Sequence, residues 1–188
     1  MTRRFASDPI PAEVVDDVLS AALTAPSAGF SQGVDLLVLG SRERRQRFWE
    51  LSSEETWRSS PDAAGLLAAP VIILPVADET AYSARYAHAD KARSRLGGRP
   101  AADWDVPYPI VDAAFSMMLL LIAAEDAGLG ALFFQLHGDK ASVLEGLGVP
   151  AGRDTIGAVA LGYRAVDAAP SPRRARRPRT EVLHHDNW

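Results

Sequence analysis

Residues 110–127 read IVDAAFSMMLLLIAAEDA, and this segment decides the fold. Its apolar side chains fall on nearly every face of a helix, so we predict a helix that is buried all round. Gly128 follows as a suitable C-terminal cap. In a chain of 188 residues, a second copy of the chain is one way to cover the last face of such a helix.

The same segment is too short to cross a membrane. Its longest apolar run covers residues 113–124, and Asp112 and Glu125 flank that run. A spanning helix needs about 20 apolar residues. We therefore expect no membrane association. No apolar stretch follows Arg3 and Arg4 at the N-terminus, so we also expect no secretory signal.

On both sides of this helix, residue patterns typical of helices alternate along the chain with patterns typical of strands. Residues 11–24 carry apolar side chains every three to four positions, which predicts an amphipathic helix. Pro75 interrupts an apolar strand and suggests a sheet edge or a bulge. The alternation indicates an α/β or α+β protein, and the length fits a single domain over residues 1–188. The predicted strands are the short apolar runs at residues 36–39, 70–76, 131–136 and 155–161.

The amino-acid composition excludes several classes of function. The chain has no cysteine, which excludes disulfides, thiolate-bound metals and a cysteine nucleophile. This absence fits a reducing compartment, and we expect the protein in the cytoplasm. The formal net charge is −4, whereas a nucleic-acid-binding protein is normally basic. Five arginines nevertheless lie together in residues 173–179.

The usual catalytic motifs are missing from the sequence. Residues 128–130, GLG, lack the third glycine of a dinucleotide fingerprint and follow a helix rather than a strand. Ser27 stands in a faint likeness of a nucleophile elbow, but it also follows a helix. His184 and His185 are expected to be solvated, so we predict no metal site and no side-chain nucleophile.

Arginines are concentrated near both ends of the sequence. Arg3 and Arg4 stand at one end, and residues 173–179 stand near the other. Arginine suits phosphate because its planar fork donates two hydrogen bonds. The two clusters could therefore converge on one anion. The alternatives are a solvated tail and a nucleic-acid contact, of which the second fits poorly with the acidic body.

Residues 78–107 combine aromatic and charged side chains and predict a short helix followed by a loop. The aromatic content is high for an exposed loop, so the segment is expected to act as a lid that covers substrate. Packing of the same rings on the core is an equal alternative. The candidate substrate contacts, which could stack on a planar acceptor, are Tyr82, Tyr86, Trp104 and Tyr108.

Several short motifs, taken in order, resemble the nitroreductase family of flavoproteins. The likeness is collinear over nearly the whole chain, and the ordered set is more specific than any of its parts. The motifs are RRF at 3–5, PIP at 9–11, APSAGFSQ at 25–32, Asp112 opening a helix that closes with GLG at 128–130, LGVP at 147–150, LGY at 161–163, and RRP at 176–178 with the residues that follow.

The resemblance implies an α+β fold with a central mixed β-sheet flanked by helices, in an intertwined homodimer. The long apolar helix then lies at the dimer interface, and residues 168–188 form an extended C-terminal arm around the partner. It also implies two FMN molecules at the interface.

Flavin contacts carry over by position in the motifs. Arg3, Arg174 and Arg176 match phosphate contacts. Pro26 and Ser27 match a turn at the isoalloxazine that the partner subunit contributes. The other implied cofactor-binding residues are Gln32, Phe134, Gln135 and Leu136.

The sequence also departs from the family pattern. Phe30 stands where the pattern has asparagine, and Gly33 and Val34 stand where it has Pro-Trp. The match starts at the third position of the N-terminal arginine motif.

The implied activity is that of an oxidoreductase. NADH or NADPH gives a hydride to FMN, and the electrons then pass to a small, aromatic acceptor such as a nitro compound or a quinone, by a ping-pong mechanism. The first alternative is a non-catalytic flavin-binding or sequestering protein of the same fold. The second is an arginine-tailed nucleic-acid binder.

Overall fold

A computed structural model describes residues 1–166 and 175–188. The described part contains helices and strands in the alternation that the sequence predicts. The helices are α1 (Ala12–Leu23), α2 (Arg42–Ser52), α3 (Glu55–Arg58), α4 (Pro61–Leu67), α5 (Glu79–Tyr86), α6 (Tyr108–Asp126) and α7 (Lys140–Gly146). The strands are β1 (Val34–Leu39), β2 (Val71–Asp78), β3 (Gly130–Phe134), β4 (Arg153–Asp154) and β5 (Ala158–Gly162).

The five strands form one sheet in the order β1-β2-β5-β3, and β4 pairs with the end of β2. The α+β class is therefore confirmed. Every strand pairing in the described residues is antiparallel, which corrects the expectation of a mixed sheet within one chain. The reason is the position of β5. It lies between β2 and β3, which run in the same direction but do not pair with each other.

Pro75 lies in an interior strand rather than at a sheet edge. On one side β2 pairs with β1 from Ile72 to Ala77. The Asp78 amide donates a hydrogen bond to the Gly33 carbonyl on this side. The amides along a strand point alternately to its two neighbours, so the nitrogen of Pro75, three residues away, points to the side opposite β1. On that side β5 pairs as far as Ile73 and β4 begins at Ala77. The proline therefore falls in the gap between two partners, where no ladder bond is lost.

The sheet is buried on both faces. Ile72, Leu74 and Val76 of β2 point into one core, which α2 and α7 cover. Val71 and Ile73 point into the second core, which α1 and α6 cover. This arrangement explains why β2 is apolar throughout rather than alternating.

Helix α6 is buried on one side only. Ala113, Met117, Leu120 and Ala124 are at most 2% exposed and pack toward α1 and the sheet. The opposite side carries Phe115, Met118 and Ile122, which are 47%, 55% and 53% exposed. The prediction of a helix buried all round is thus wrong for the single chain, because one chain covers only one side of it.

The expectation that this segment is too short to cross a membrane is wrong on length: the helix extends beyond the apolar run at both ends, and by length and composition alone α6 could cross a membrane. It has 19 residues and a mean hydropathy of 1.5. Its packing against α1, β2 and β3 is that of a core helix in a folded domain.

Candidate functional site

The first group of residues expected at the flavin ring lies in a tight turn, residues 26–32, which connects α1 to β1. The Ser27 hydroxyl accepts a hydrogen bond from the Gln32 amide at 3.0 Å, and the Phe30 amide donates to the Ser27 carbonyl at 2.9 Å. The turn contains three left-handed residues: Gly29 with φ 62°, Phe30 with φ 59° and Gln32 with φ 50°. Such a backbone costs free energy for side chains other than glycine, so the surroundings must hold it in place.

Asp112 fixes this turn from the first turns of α6. Its Oδ2 accepts a hydrogen bond from the Ala28 amide at 2.8 Å and another from the Tyr82 hydroxyl at 2.8 Å. Asp112 is 3% exposed and Tyr82 is fully buried. Burial, together with the bond to the carboxylate, raises the pKa of Tyr82 far above its usual value. The phenol therefore stays protonated and continues to donate.

The segment of residues 78–107 supports the same turn from the other side. Arg85 donates from Nε to the Gly29 carbonyl at 2.8 Å. Its Nη1 and Nη2 donate hydrogen bonds to the Asp90 carboxylate at 2.8 and 2.6 Å. These bonds lower the pKa of Asp90 to about 2. The Tyr86 ring lies against Gly29, where an added Cβ would stand 2.8 Å from the ring. Glycine is thus required there both by its φ and by the neighbouring ring.

A cavity of about 570 Å³ opens beside the 26–32 turn. Its wall combines apolar and polar groups, and it reaches down to the buried Asp112. The predicted flavin residues on this wall are Pro26, Ser27 and Gln32, and Phe30 and Ser116 also contribute to it.

A second cavity, of about 340 Å³, lies at the end of β3. Its aromatic wall comes from Trp49, Trp57 and Phe134. The Trp49 and Phe134 rings are stacked, with their centroids 5.5 Å apart and their planes 13° apart. The polar residues around it are Ser52, Ser53, Glu54, Gln135 and His137.

Two residues that line this aromatic cavity, Trp49 and Ser52, each carry a buried polar atom without a hydrogen-bond partner among residues 1–166 and 175–188. The atoms are the Trp49 Nε1 and the Ser52 Oγ. An unpartnered buried donor is costly, and in a native protein it often marks a place where water or a ligand completes the bonding. At the rim, His137 Nε2 lies 3.0 Å from Glu54 Oε1.

The predicted flavin residues fall into separate groups. Pro26, Ser27 and Gln32 line the first cavity, and Phe134 and Gln135 line the second. Leu136 is 5% exposed and packs in the core beside Phe134. Arg3 and Arg176 are exposed, and Arg174 lies outside the described residues.

The four aromatic residues that the sequence offered as substrate contacts form one cluster. Trp104 is at its centre, with ring centroids 6.5 Å from Tyr82, 5.0 Å from Tyr86 and 6.1 Å from Tyr108, all edge to face. Tyr82 and Trp104 are covered within the chain, which favours the alternative of core packing for those two. Tyr86 and Tyr108 are half-buried and keep part of their surface open.

Sequence reasoning missed Trp49, Trp57 and the carboxylate of Asp112 as parts of these sites. The sequence did contain a signal for Trp49. Residues 42–52 are strongly polar except for Phe48, Trp49 and Leu51, and large rings in such a helix must pack somewhere. The bond from Asp112 to Ala28 had no comparable signal, because it joins residues 84 positions apart.

The fold and the motifs agree with a comparison against known families. The nitroreductase family profile matches residues 1–163, and the chain belongs to that family. A curated relative, the FMN reductase [NAD(P)H] of Bacillus subtilis, is 23% identical over 187 residues, which cover 99% of this chain and 70% of the relative.

Solved structures show the same fold. The nitroreductase family protein from Streptococcus pneumoniae superposes with a TM-score of 0.70 and 22% identity, over 98% of this chain and 94% of that protein. A nitroreductase from B. subtilis gives a TM-score of 0.73 with 19% identity, over 99% of this chain and 70% of that protein.

Proposed function

We propose that this protein is an FMN-dependent oxidoreductase that passes electrons from NADH or NADPH to a small, aromatic acceptor. The observation that carries the proposal is the aromatic cavity at the end of β3, with its two unpartnered buried donors. The family membership supports it, and so does the curated relative's name, which describes an NAD(P)H-dependent FMN reductase.

The residues of this cavity fit an isoalloxazine ring. Trp57 and Phe134 offer flat apolar surfaces for a planar ring system. The Trp49 indole and the Ser52 hydroxyl can donate hydrogen bonds, and a flavin ring carries carbonyl oxygens and ring nitrogens that accept them. The Gln135 amide can both donate and accept at the same wall.

The arginines near the two ends of the chain fit the phosphate of FMN. Arg3 is exposed beside the anchored N-terminal segment, where the Thr2 amide donates to Ala131 of β3. Arg176 is exposed in the C-terminal segment, and Arg174 belongs to the same proposed contact. Charge-assisted bonds from arginine suit a phosphate dianion.

A homodimer explains why the flavin residues lie on two cavities. The side of α6 that carries Phe115, Met118 and Ile122 is an exposed apolar stripe, which a second copy of the chain can bury. We propose that this contact brings the 26–32 turn of one chain to the aromatic cavity of its partner. We also propose that the C-terminal arm, residues 168–188, of which 168–174 lie outside the described residues, reaches around the partner. Pro26, Ser27 and Gln32 then approach the ring from the second chain.

The chemistry then needs no nucleophilic side chain. When bound, FMN would supply the redox chemistry, the transfer of an electron pair from NAD(P)H to the acceptor. The protein holds the ring between aromatic walls, keeps water away from it and binds the phosphate. Asp112 and Arg85 keep the 26–32 turn in place. We retain Tyr86 and Tyr108 as proposed acceptor contacts.

An anaerobic absorption titration tests this function. The purified protein is incubated with FMN, passed through a gel-filtration column, and then given NADPH or NADH. We expect flavin bands that co-elute with the protein and bleach on addition of the nucleotide, and that return when menadione is added. Bands that persist without bleaching would instead favour a flavin-sequestering protein. Failure to retain any flavin would contradict both functions.

A further inference from the structure

Phe30 is held in an unusual backbone conformation and its ring is exposed. Its φ is 59°, in the left-handed region, and the residue is 72% exposed. A left-handed backbone is costly for bulky residues, whereas asparagine and glycine adopt it readily. Exposing a phenyl ring to water offers no compensation. The isolated chain therefore gains nothing from a phenylalanine at this position.

The surrounding contacts hold in place the backbone that carries this ring. The Phe30 amide donates to the Ser27 carbonyl, and the Ser31 hydroxyl donates to the Ala28 carbonyl at 2.6 Å. The carbonyl of the preceding residue, Gly29, is held by Arg85. These bonds leave the Phe30 backbone little freedom to relax. Strain that the surroundings enforce in this way is characteristic of binding sites.

The ring also stands beside groups that belong to the proposed flavin site. Phe30 lines the same cavity as Pro26, Ser27 and Gln32. Its aromatic face is the largest apolar surface on the exposed part of the turn. A planar molecule that enters next to the flavin ring would meet this face.

We propose that Phe30 is a specificity-determining residue, whose ring stacks on the planar acceptor and selects aromatic over non-aromatic oxidants. The proposal rests on the oxidoreductase function given above. It explains why a strained, exposed ring occurs on a turn that is otherwise held so firmly. The acceptor class that it fits is a flat ring carrying nitro or carbonyl groups.

The variant Phe30→Asn separates the role of the ring from the stability of the fold. Asparagine suits the left-handed backbone, so we expect the thermal midpoint to rise by about 3 °C. We expect the KM for menadione to rise about tenfold and the binding of menadione, followed by tryptophan fluorescence, to weaken by a similar factor. The KM for ferricyanide, which has no ring, should stay unchanged.

Val38→Asn is the matched control. Val38 is 37% exposed on strand β1 and lines neither cavity, so this change removes apolar surface from a residue with an ordinary extended backbone. We expect it to leave both the KM for menadione and the menadione affinity unchanged.

Two results would overturn the proposal. One is an unchanged menadione affinity and KM in Phe30→Asn. The other is a halved molar mass by light scattering for that variant, which would assign the ring to contact between two copies of the chain. A different result would contradict the proposed function, namely a parent protein whose bound flavin does not bleach when NADPH or NADH is added. Menadione binding still decides the role of Phe30 in that case.

Discussion

Asp112 joins three parts of the chain through one buried oxygen. It belongs to α6, it accepts from the Ala28 amide of the 26–32 turn, and it accepts from Tyr82 of α5. A buried carboxylate is costly unless donors satisfy it. The two donors stabilise the charge, and in return the carboxylate fixes the turn that carries Pro26 and Ser27.

Removing the Tyr82 hydroxyl should weaken the fold. In Tyr82→Phe, Asp112 loses one of its two donors while remaining buried, so we expect the free energy of unfolding to fall by about 1–2 kcal/mol. Urea denaturation followed by circular dichroism measures this change. Tyr86→Phe is the control, because the Tyr86 hydroxyl has no hydrogen bond within the described part of the chain, and it should change stability much less. An equal loss in the two variants would contradict the role assigned to Asp112.

The same pair of variants gives a test in alkaline solution. The pKa of Tyr82 is raised in the folded protein, while in the unfolded chain it is about 10. Above that pH the unfolded chain releases the proton and the folded protein keeps it. Stability is therefore complete below pH 10 and falls above it, by about 1.4 kcal/mol per pH unit for this group. We expect the difference in stability between the parent protein and Tyr82→Phe to shrink above pH 10.

Helix α6 presents two different surfaces because one chain can bury only one of them. Ala113, Met117, Leu120 and Ala124 recur every three to four residues and face the sheet. Phe115, Met118 and Ile122 recur at the same spacing on the other side and remain open. Such an apolar stripe on a folded chain usually marks an interface.

A charge on this stripe should separate the proposed dimer. For Ile122→Asp we expect the molar mass from light scattering to halve, because the carboxylate would be desolvated at the interface. We also expect the protein to lose retained FMN, since the two groups of flavin residues line separate cavities of one chain. Val38→Asp, on strand β1 at the edge of the sheet, introduces the same charge at an exposed apolar position and should keep the parent mass. A parent protein that is already monomeric would contradict the proposal directly.

The whole chain is acidic, with a net charge of −4, yet seven of its 18 arginines lie near the two ends of the sequence, where residues are proposed to bind the flavin phosphate. Such local clusters of positive charge attract an anion although the net charge of the chain is negative. It also accounts for arginines at both ends of the sequence without a nucleic-acid partner.

Comparing FMN with riboflavin isolates the phosphate contact. For Arg176→Ala we expect the Kd for FMN to rise about tenfold, because one charge-assisted hydrogen bond is lost. The Kd for riboflavin, which has no phosphate, should not change. Arg47→Ala is the control, since Arg47 pairs with Glu50 of the same helix at 3.8 Å, and it should affect neither ligand. Flavin fluorescence quenching measures all four values. Equal weakening for both ligands in Arg176→Ala would rule out a phosphate contact.

The sequence by itself determined the long apolar helix, the buried strands and the family. Each of these depends on the local pattern of residues or on the order of the motifs, and both can be read directly from the sequence. It also placed Pro26, Ser27 and Gln32 on one turn, since they lie within seven residues of one another.

Only the tertiary structure decided how these parts meet. It placed β5 between β2 and β3, so that the sheet of one chain is antiparallel throughout the described residues. It turned Tyr82 and Trp104 inward, although the sequence allowed them to face a substrate. It also brought Asp112 and Arg85 to the 26–32 turn across 84 and 56 positions of sequence. Contacts over such separations depend on how the elements pack together, and no local pattern of residues encodes that packing.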